Sequence, residues 1–299
     1  AVSIVAAGAD VNQSNPDGIT PLISALDNQR FDIAMYLIDK GANVHVWDMY
    51  GRTALYMAID MNSFSPTGFG GPGSFSDQFA AVTAMQQNVS ALDVARRLIA
   101  MGVDVNHQLT RMRPNGPGRG RFEDYDMRGG TAPLMTAVLG RDQEAIILLL
   151  QNGADVDLPN VFGMTPLMIA AGMSGSGRGQ GGVIPKDIQE QAIASIDLLL
   201  EAGADINAQV SGSHSKTGQL ISYVQYRDSE GRTPLHAAAE LAWGKVVAHL
   251  LAQGADPSIK DFEGQTPLDE TLEPKLYAAP SFQRRDIGDR EATIALLKK

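Results

Sequence analysis

The stretch TPLHAAAELAWGKVVAHLLAQGAD, residues 233–256, decides how the rest of the chain is read. Thr233 followed by Pro234 fits a helix N-cap and first helical position, because the hydroxyl takes an otherwise unpaired amide and proline has no amide to leave unpaired. Leu235 then serves as the first core anchor. The second half, like FDIAMYLIDKG (31–41) and EAIILLLQNG (144–153), places apolar residues at helical spacing and closes on a glycine suited to a left-handed helix terminus.

Both ends of this stretch recur. GADVN (8–12), GANVH (41–45), GVDVN (102–106), GADVD (153–157), GADIN (203–207) and GADPS (254–258) repeat the closing phrase. The opening phrase returns as GITPL, GRTAL, GGTAPL, GMTPL, GRTPL and GQTPL, ending at Leu22, Leu55, Leu134, Leu167, Leu235 and Leu268. The base interval is 33 residues, which is the period of a stacked repeat. Longer intervals place four insertions: 28 residues at about 62–89, 18 at about 107–126, 17 at about 172–187 and 18 at about 208–226. Asn15, Asp48, Asn160, Asp228 and Asp261 each stand three residues before a glycine, the signature of a type I turn. Each unit therefore reads as turn, helix, helix, cap.

This pattern resembles the ankyrin repeat family, with residues 233–256 as the nearest copy of its motif. The resemblance implies an all-α helical repeat solenoid with turn or β-hairpin fingers. On this reading one solenoid covers residues 1–299: a partial repeat at 1–14, repeats at about 15–47, 48–126, 127–159, 160–227 and 228–260, and a C-terminal repeat at 261–299. Three departures stand out. Repeat two has Thr53-Ala54 without proline, repeat three carries an additional residue in Thr131-Ala132-Pro133, and only His236 fills the family's histidine position. AVSIVAAG reads as the end of a second helix, so further repeats or domains of the same chain are expected upstream.

The resemblance also locates the inserts. Those at 107–126 and 208–226 extend fingers, and those at 62–89 and 172–187 extend the loops between the two helices of a repeat, so that a concave groove gains walls. SDQFAAVTAMQQN (76–88) is expected to be helical, and PKDIQEQAIASIDLLLEAG extends a second helix backward, with Pro185 near its start. Counted over 62–89, 107–128, 172–186 and 208–227, the inserted segments carry a net charge of +5 and leave −15 on the rest of the chain. The run TRMRPNGPGRGRFEDYDMRGG (110–130) holds five arginines, more than any other insert, and Arg111, Arg113, Arg119 and Arg121 are candidate contacts for an anionic partner.

The positions that vary freely in such repeats and face the groove flank the turn. In repeat two these are Trp47, Met49, Tyr50 and Arg52, in repeat four Val161, Phe162 and Met164, and in repeat six Phe262. Aromatic, Met and Arg side chains at exposed positions are what a binding hot spot requires, so Trp47, Met49, Tyr50, Arg52, Phe162 and Met164 are the candidate partner-binding residues.

Composition removes several classes of chemistry. With no cysteine there is no disulfide framework, thiolate nucleophile or cysteine zinc site. No apolar run is long enough to span a bilayer, and a soluble protein is expected. GFGGPG (68–73) and GRGQGG (177–182) match GxGxxG, but each follows a helix where a dinucleotide fingerprint follows a strand. The five histidines are scattered over different units, so no metal and no cofactor is expected. Asn12 and Asn88 begin glycosylation-type triplets, but Ser90 also reads as an N-cap with Asp93 three residues on. The expected function is a non-catalytic interaction module whose partner is another protein or peptide. Two alternatives remain open: single-stranded nucleic acid or RNA bound through 110–130 with Phe122 and Tyr125 stacking, and a small-molecule or enzyme pocket built by the inserts. The formal net charge of −10 argues against nucleic acid.

Overall fold

In a computed structural model of the chain, the described residues are 7–63, 88–110, 129–173, 187–211, 230–272 and 289–298. The helix expected at 76–88 and both GxGxxG matches lie outside them, as do Pro185, Arg111, Arg113, Arg119 and Arg121.

Every turn signature within the described residues folds in the same way. The side-chain oxygen of Asn15 accepts the amides of Asp17 and Ile19, that of Asp48 those of Tyr50 and Arg52, that of Asn160 those of Phe162 and Met164, and that of Asp261 those of Glu263 and Gln265. One Asx side chain thus replaces two water molecules on the backbone and aims the chain at the helix that follows.

The helices come in alternation, a first and a second helix per repeat. They are α1 Pro21–Asp27, α2 Phe31–Asp39, α3 Ala54–Ser63, α4 Ala91–Ala100, α5 Pro133–Gly140, α6 Gln143–Gln151, α7 Pro166–Ala170, α8 Ile188–Glu201, α9 Pro234–Glu240, α10 Gly244–Ala252, α11 Pro267–Leu272 and α12 Arg290–Leu297. Thr20, Thr165 and Thr233 cap α1, α7 and α9, each accepting the amide three residues on, with proline next in line. Ser90 and Asp93 form a reciprocal capping box on α4, so Ser90 does serve as the N-cap. The glycines that close α2, α4, α6, α8 and α10 all take positive φ, where a Cβ is disfavoured. At 14 residues, α8 is longer than the other second helices, as its sequence predicts.

The chain forms two compact units, one holding α1–α6 and ending at Ala154, the other beginning at Asp155 and holding α7–α12. Within the first, α1, α3 and α5 pack side by side and each is backed by its own second helix; α7, α9 and α11 do the same in the second. The anchors Leu22, Leu55, Leu134, Leu167 and Leu235 are buried in these layers.

One expectation is corrected. Repeat three has no additional residue: Gly130, Thr131 and Ala132 occupy the places held by Gly231, Arg232 and Thr233 in repeat five. Ala132 is therefore the N-cap of α5 and makes no side-chain capping bond. The anchoring pairs show the equivalence. Leu109 donates to the Thr131 carbonyl (3.0 Å) and accepts from the Gly130 amide (2.7 Å), and Val210 does the same with Arg232 (2.9 Å) and Gly231 (2.8 Å). Gln108 Nε2 donates to the Gly130 carbonyl and Gln209 Nε2 to that of Gly231. Both long fingers thus leave the framework through the same two-stranded neck, with partners 101 residues apart in the sequence. The segment α3–α6 with its two inserts recurs as α7–α10 with its own two.

Candidate binding surface

The necks settle where the turn side chains go. In the first unit the neck crosses the turn of repeat two: Thr110 N–H donates to the Tyr50 carbonyl at 3.0 Å, and a Cβ on Gly51 would lie 2.5 Å from the Thr110 nitrogen. In the second unit a Cβ on Gly163 would lie 2.0 Å from the Ser211 carbonyl oxygen. Each neck thus passes in backbone contact with a turn glycine.

Phe162 and Met164 are buried, at 6% and 4% exposure, and do not present surface as the repeat register predicts. Arg52 is buried as well, for an electrostatic reason. Its Nε meets Asp48 Oδ2 at 2.6 Å, its Nη1 lies 4.0 Å from Asp27 Oδ1, and its guanidinium carbon stands 5.4 Å from the centre of the Tyr50 ring. The Asp48 side chain is fully buried, so Arg52 neutralises a carboxylate that already holds the turn. A guanidinium spent in this way offers no charge to a partner.

Trp47 and Met49 behave as expected. They are 54% and 40% exposed, while Tyr50 is half-buried. A single antiparallel bridge between Trp47 and Thr53 closes the turn from which they project, and Met49 N–H donates to the Asp17 carbonyl of the preceding turn. Phe262 occupies in repeat six the turn position that Met49 holds in repeat two and is 74% exposed.

A residue not singled out from the sequence joins this surface. The His107 ring lies against Trp47 with centroids 4.9 Å apart and planes 36° apart, and its Nε2 is buried without a hydrogen-bond partner. Trp47 and His107 are 60 positions apart, and only the path of the finger neck brings them together, so no local pattern announces the pair. The corresponding positions of the second unit hold Pro159 and Ala208. Among the described residues of repeat four, no aromatic pair stands at these positions. Among the described residues, no group of three His, Asp or Glu side chains is placed to hold a metal ion, and no helix is long and apolar enough to cross a membrane.

Residues 1–65 and 80–210 match the family profile described as Ankyrin repeats (3 copies), and residues 230–262 match that described as Ankyrin repeat. The chain belongs to the ankyrin repeat family. It is similar to the mouse Ankyrin repeat and SOCS box protein 16, at 34% identity over 152 residues, covering 50% of this chain and 27% of that protein. It is also similar to the mouse B-cell lymphoma 3 protein homolog, at 28% identity over 250 residues, 83% of this chain and 39% of that protein. The chain thus spans well under half the length of these relatives. Among solved structures, the human ASB11 ankyrin repeat domain shares the fold, with a TM-score of 0.56 at 19% identity over 99% of this chain and 90% of that one. Ankyrin repeat domains are protein-interaction modules and, as a family, a non-catalytic fold. The anchoring threonines, turn glycines and alternating helices described above are the ankyrin repeat frame.

Proposed function

We propose that the chain is a non-catalytic protein-interaction module that grips a segment of a partner protein on the rim of its first unit, with Trp47 and Met49 as anchors and Tyr50 beside them. The observation that carries this reading is the exposure of two large apolar side chains on a turn held by Asp48, Arg52 and the Thr110 neck. Such a turn loses little freedom on binding, which is what makes an exposed aromatic residue an effective anchor. Arg111, Arg113, Arg119 and Arg121 steer the partner's approach in this reading, since exposed ion pairs act mainly on association rate. Arg52, Phe162 and Met164 support the frame.

The test begins with a partner captured by cross-linking from the source cells and identified by mass spectrometry. That partner is titrated against two double variants, Trp47→Ala with Met49→Ala and Arg119→Ala with Arg121→Ala, with melting curves to show that both are folded. Each anchor is expected to contribute about 2 kcal/mol and each exposed arginine about 1 kcal/mol or less. The first variant should therefore lose affinity at low and at physiological salt, the second chiefly at low salt. Normal binding by the Trp47 variant would overturn the assignment. A steep loss of affinity with salt in the unmodified chain would instead indicate a nucleic acid.

A further inference from the structure

The loop between α5 and α6 holds a guanidinium that nothing in the chain answers. Seven arginines lie among the described residues. Arg30, Arg96 and Arg97 pair with Asp32, Asp93 and Asp39, Arg52 with Asp48 and Asp27, and Arg232 with Glu240 and Glu270, while Arg290 donates to the Thr271 carbonyl. Arg141 alone of these has no hydrogen bond, ion pair or ring contact. It is half-buried, and burial draws its pKa below the usual guanidinium value with no carboxylate to raise it again. The carboxylate next in sequence is taken up elsewhere: Asp142 Oδ2 accepts from Asn62 Nδ2 at 2.6 Å and from Ser63 Oγ at 3.1 Å, and Oδ1 accepts from the Ala145 amide at 3.1 Å. The frame does not call for a cation here. Gln29 and Ala242 hold the same place in the loops after α1 and α9, at φ of 55° and 51° against 55° for Arg141, and all three donate their amides to the carbonyl three residues back. A left-handed φ favours glycine, and a half-buried charge without a partner is unfavourable. Arginine at this position therefore weakens the free chain and gains nothing within it.

We infer that Arg141 receives an aspartate or glutamate carboxylate of the protein partner, as a contact independent of the Trp47 turn. The planar fork of a guanidinium takes both oxygens of a carboxylate through parallel N–H bonds. A guanidinium already half-buried has less hydration left to lose when the pair forms. Arg141 is the only basic residue between 129 and 154, and the Asn62 and Ser63 side chains that reach this loop are uncharged. One guanidinium balances the single charge of a carboxylate and falls short of the roughly double charge of a phosphate monoester. A partner with acidic residues is also the one that Arg111, Arg113, Arg119 and Arg121 would steer. That the partner is a protein is taken from the proposed function; the role of Trp47 is not used.

Three measurements on the intact chain test it. Gln29 shows that glutamine fits this backbone, so Arg141→Gln should fold with a urea midpoint equal to or above that of the unmodified chain. A lower midpoint would mean that the guanidinium is held inside the protein and would overturn the inference. A random peptide library is then selected on the chain and counter-selected on Arg141→Gln. The expected peptides carry aspartate or glutamate and lose affinity at least tenfold when that residue becomes its amide. They should also bind Arg141→Lys more weakly, since an ammonium lacks the planar fork. Arg141-dependent peptides that tolerate the amide would sink the inference. So would recovery of no such peptide, or inorganic phosphate or a single-stranded oligonucleotide binding at Arg141 more tightly than any acidic peptide. Finally, the captured partner should bind Arg141→Gln at least tenfold more weakly than the unmodified chain. Unchanged affinity would overturn this contact and leave the Trp47 surface standing, whereas a loss here with normal binding by the Trp47 variant would sink that surface and leave this contact.

Discussion

His236 shows how one buried side chain ties a repeat to its neighbour and to pH. Its Nδ1 accepts from the Thr233 amide (3.1 Å) and lies 2.9 Å from the Thr233 hydroxyl, and its Nε2 lies 3.1 Å from the Gln265 carbonyl of the next turn. Only the neutral ring with the proton on Nε2 serves all three partners. Burial pushes its pKa down from 6.5 to about 4, an effect larger than the raising influence of the Gln265 carbonyl. The unfolded chain takes up the proton near pH 6.5 and the folded chain only near pH 4. The stability this group contributes is thus fully present above pH 6.5 and is lost as pH falls toward 4. Its size is about 3 kcal/mol on the linkage scale. The His236 ring signals in an NMR titration should stay in the neutral position at pH 5.5, with the denaturant midpoint already lower than at pH 7.5. Ring signals that titrate near 6.5 would refute the assignment.

At the scale of elements, two classes of glycine share a backbone conformation but not a role. Gly41 closes α2 with φ of 87°, and a Cβ there would meet nothing within 4 Å. Gly163 has φ of 76°, and a Cβ there would lie 2.0 Å from one backbone atom of Ser211 and 2.7 Å from another. Gly41→Ala should cost only the left-handed conformation, about 1–2 kcal/mol. Gly163→Ala must also displace the finger neck, and a loss of about 3 kcal/mol or more is expected, in the range of overpacked cores added to backbone strain. Urea denaturation of the two variants checks this, and equal losses would show that the neck yields easily. The loops between repeats are tied in a second way. Asn12 accepts from Asn43 N–H and Asn207 from Asp256 N–H, while Asn106 donates to the Gly153 carbonyl. The last residue of the GADVN phrase is therefore a link from one repeat to the next as well as a family marker.

At the scale of the molecule, a framework of 33-residue repeats carries inserts more than half as long as a repeat. Its stability comes from neighbouring repeats burying each other's faces, and the neck bonds of Leu109 with Gly130 and Thr131 close the first long finger at its base. Replacing residues 111–128 by a short Asn-Gly turn should therefore leave a cooperative unit. Loop closure varies slowly with length, and the change is expected to stay below about 2 kcal/mol. Broad, uncooperative melting of the shortened chain would show that the finger covers the frame.

The sequence by itself determined the repeat period, the turns, the caps outside repeat three and the alternation of first and second helices. These rest on signals a few residues long: an Asx oxygen two to four residues from the amides it accepts, a threonine three residues from the amide it caps, a glycine two residues past the end of a helix. Such interactions form wherever the local sequence permits and do not depend on the rest of the chain. Tertiary structure alone decided which of the variable turn positions face solvent. Phe162 occupies the register of the exposed Asp17 and Glu263, yet it is buried at a turn crossed by a neck that returns from about fifty residues later, whereas Arg52 and Met164 follow turn glycines, a register at which no described residue is exposed, and an ion pair holds the first. Trp47 and Met49 stay open, and Trp47 gains His107 from 60 positions away. Exposure is a property of what packs nearby, and what packs nearby here is set by the path of the inserts, which no pattern of a few residues encodes.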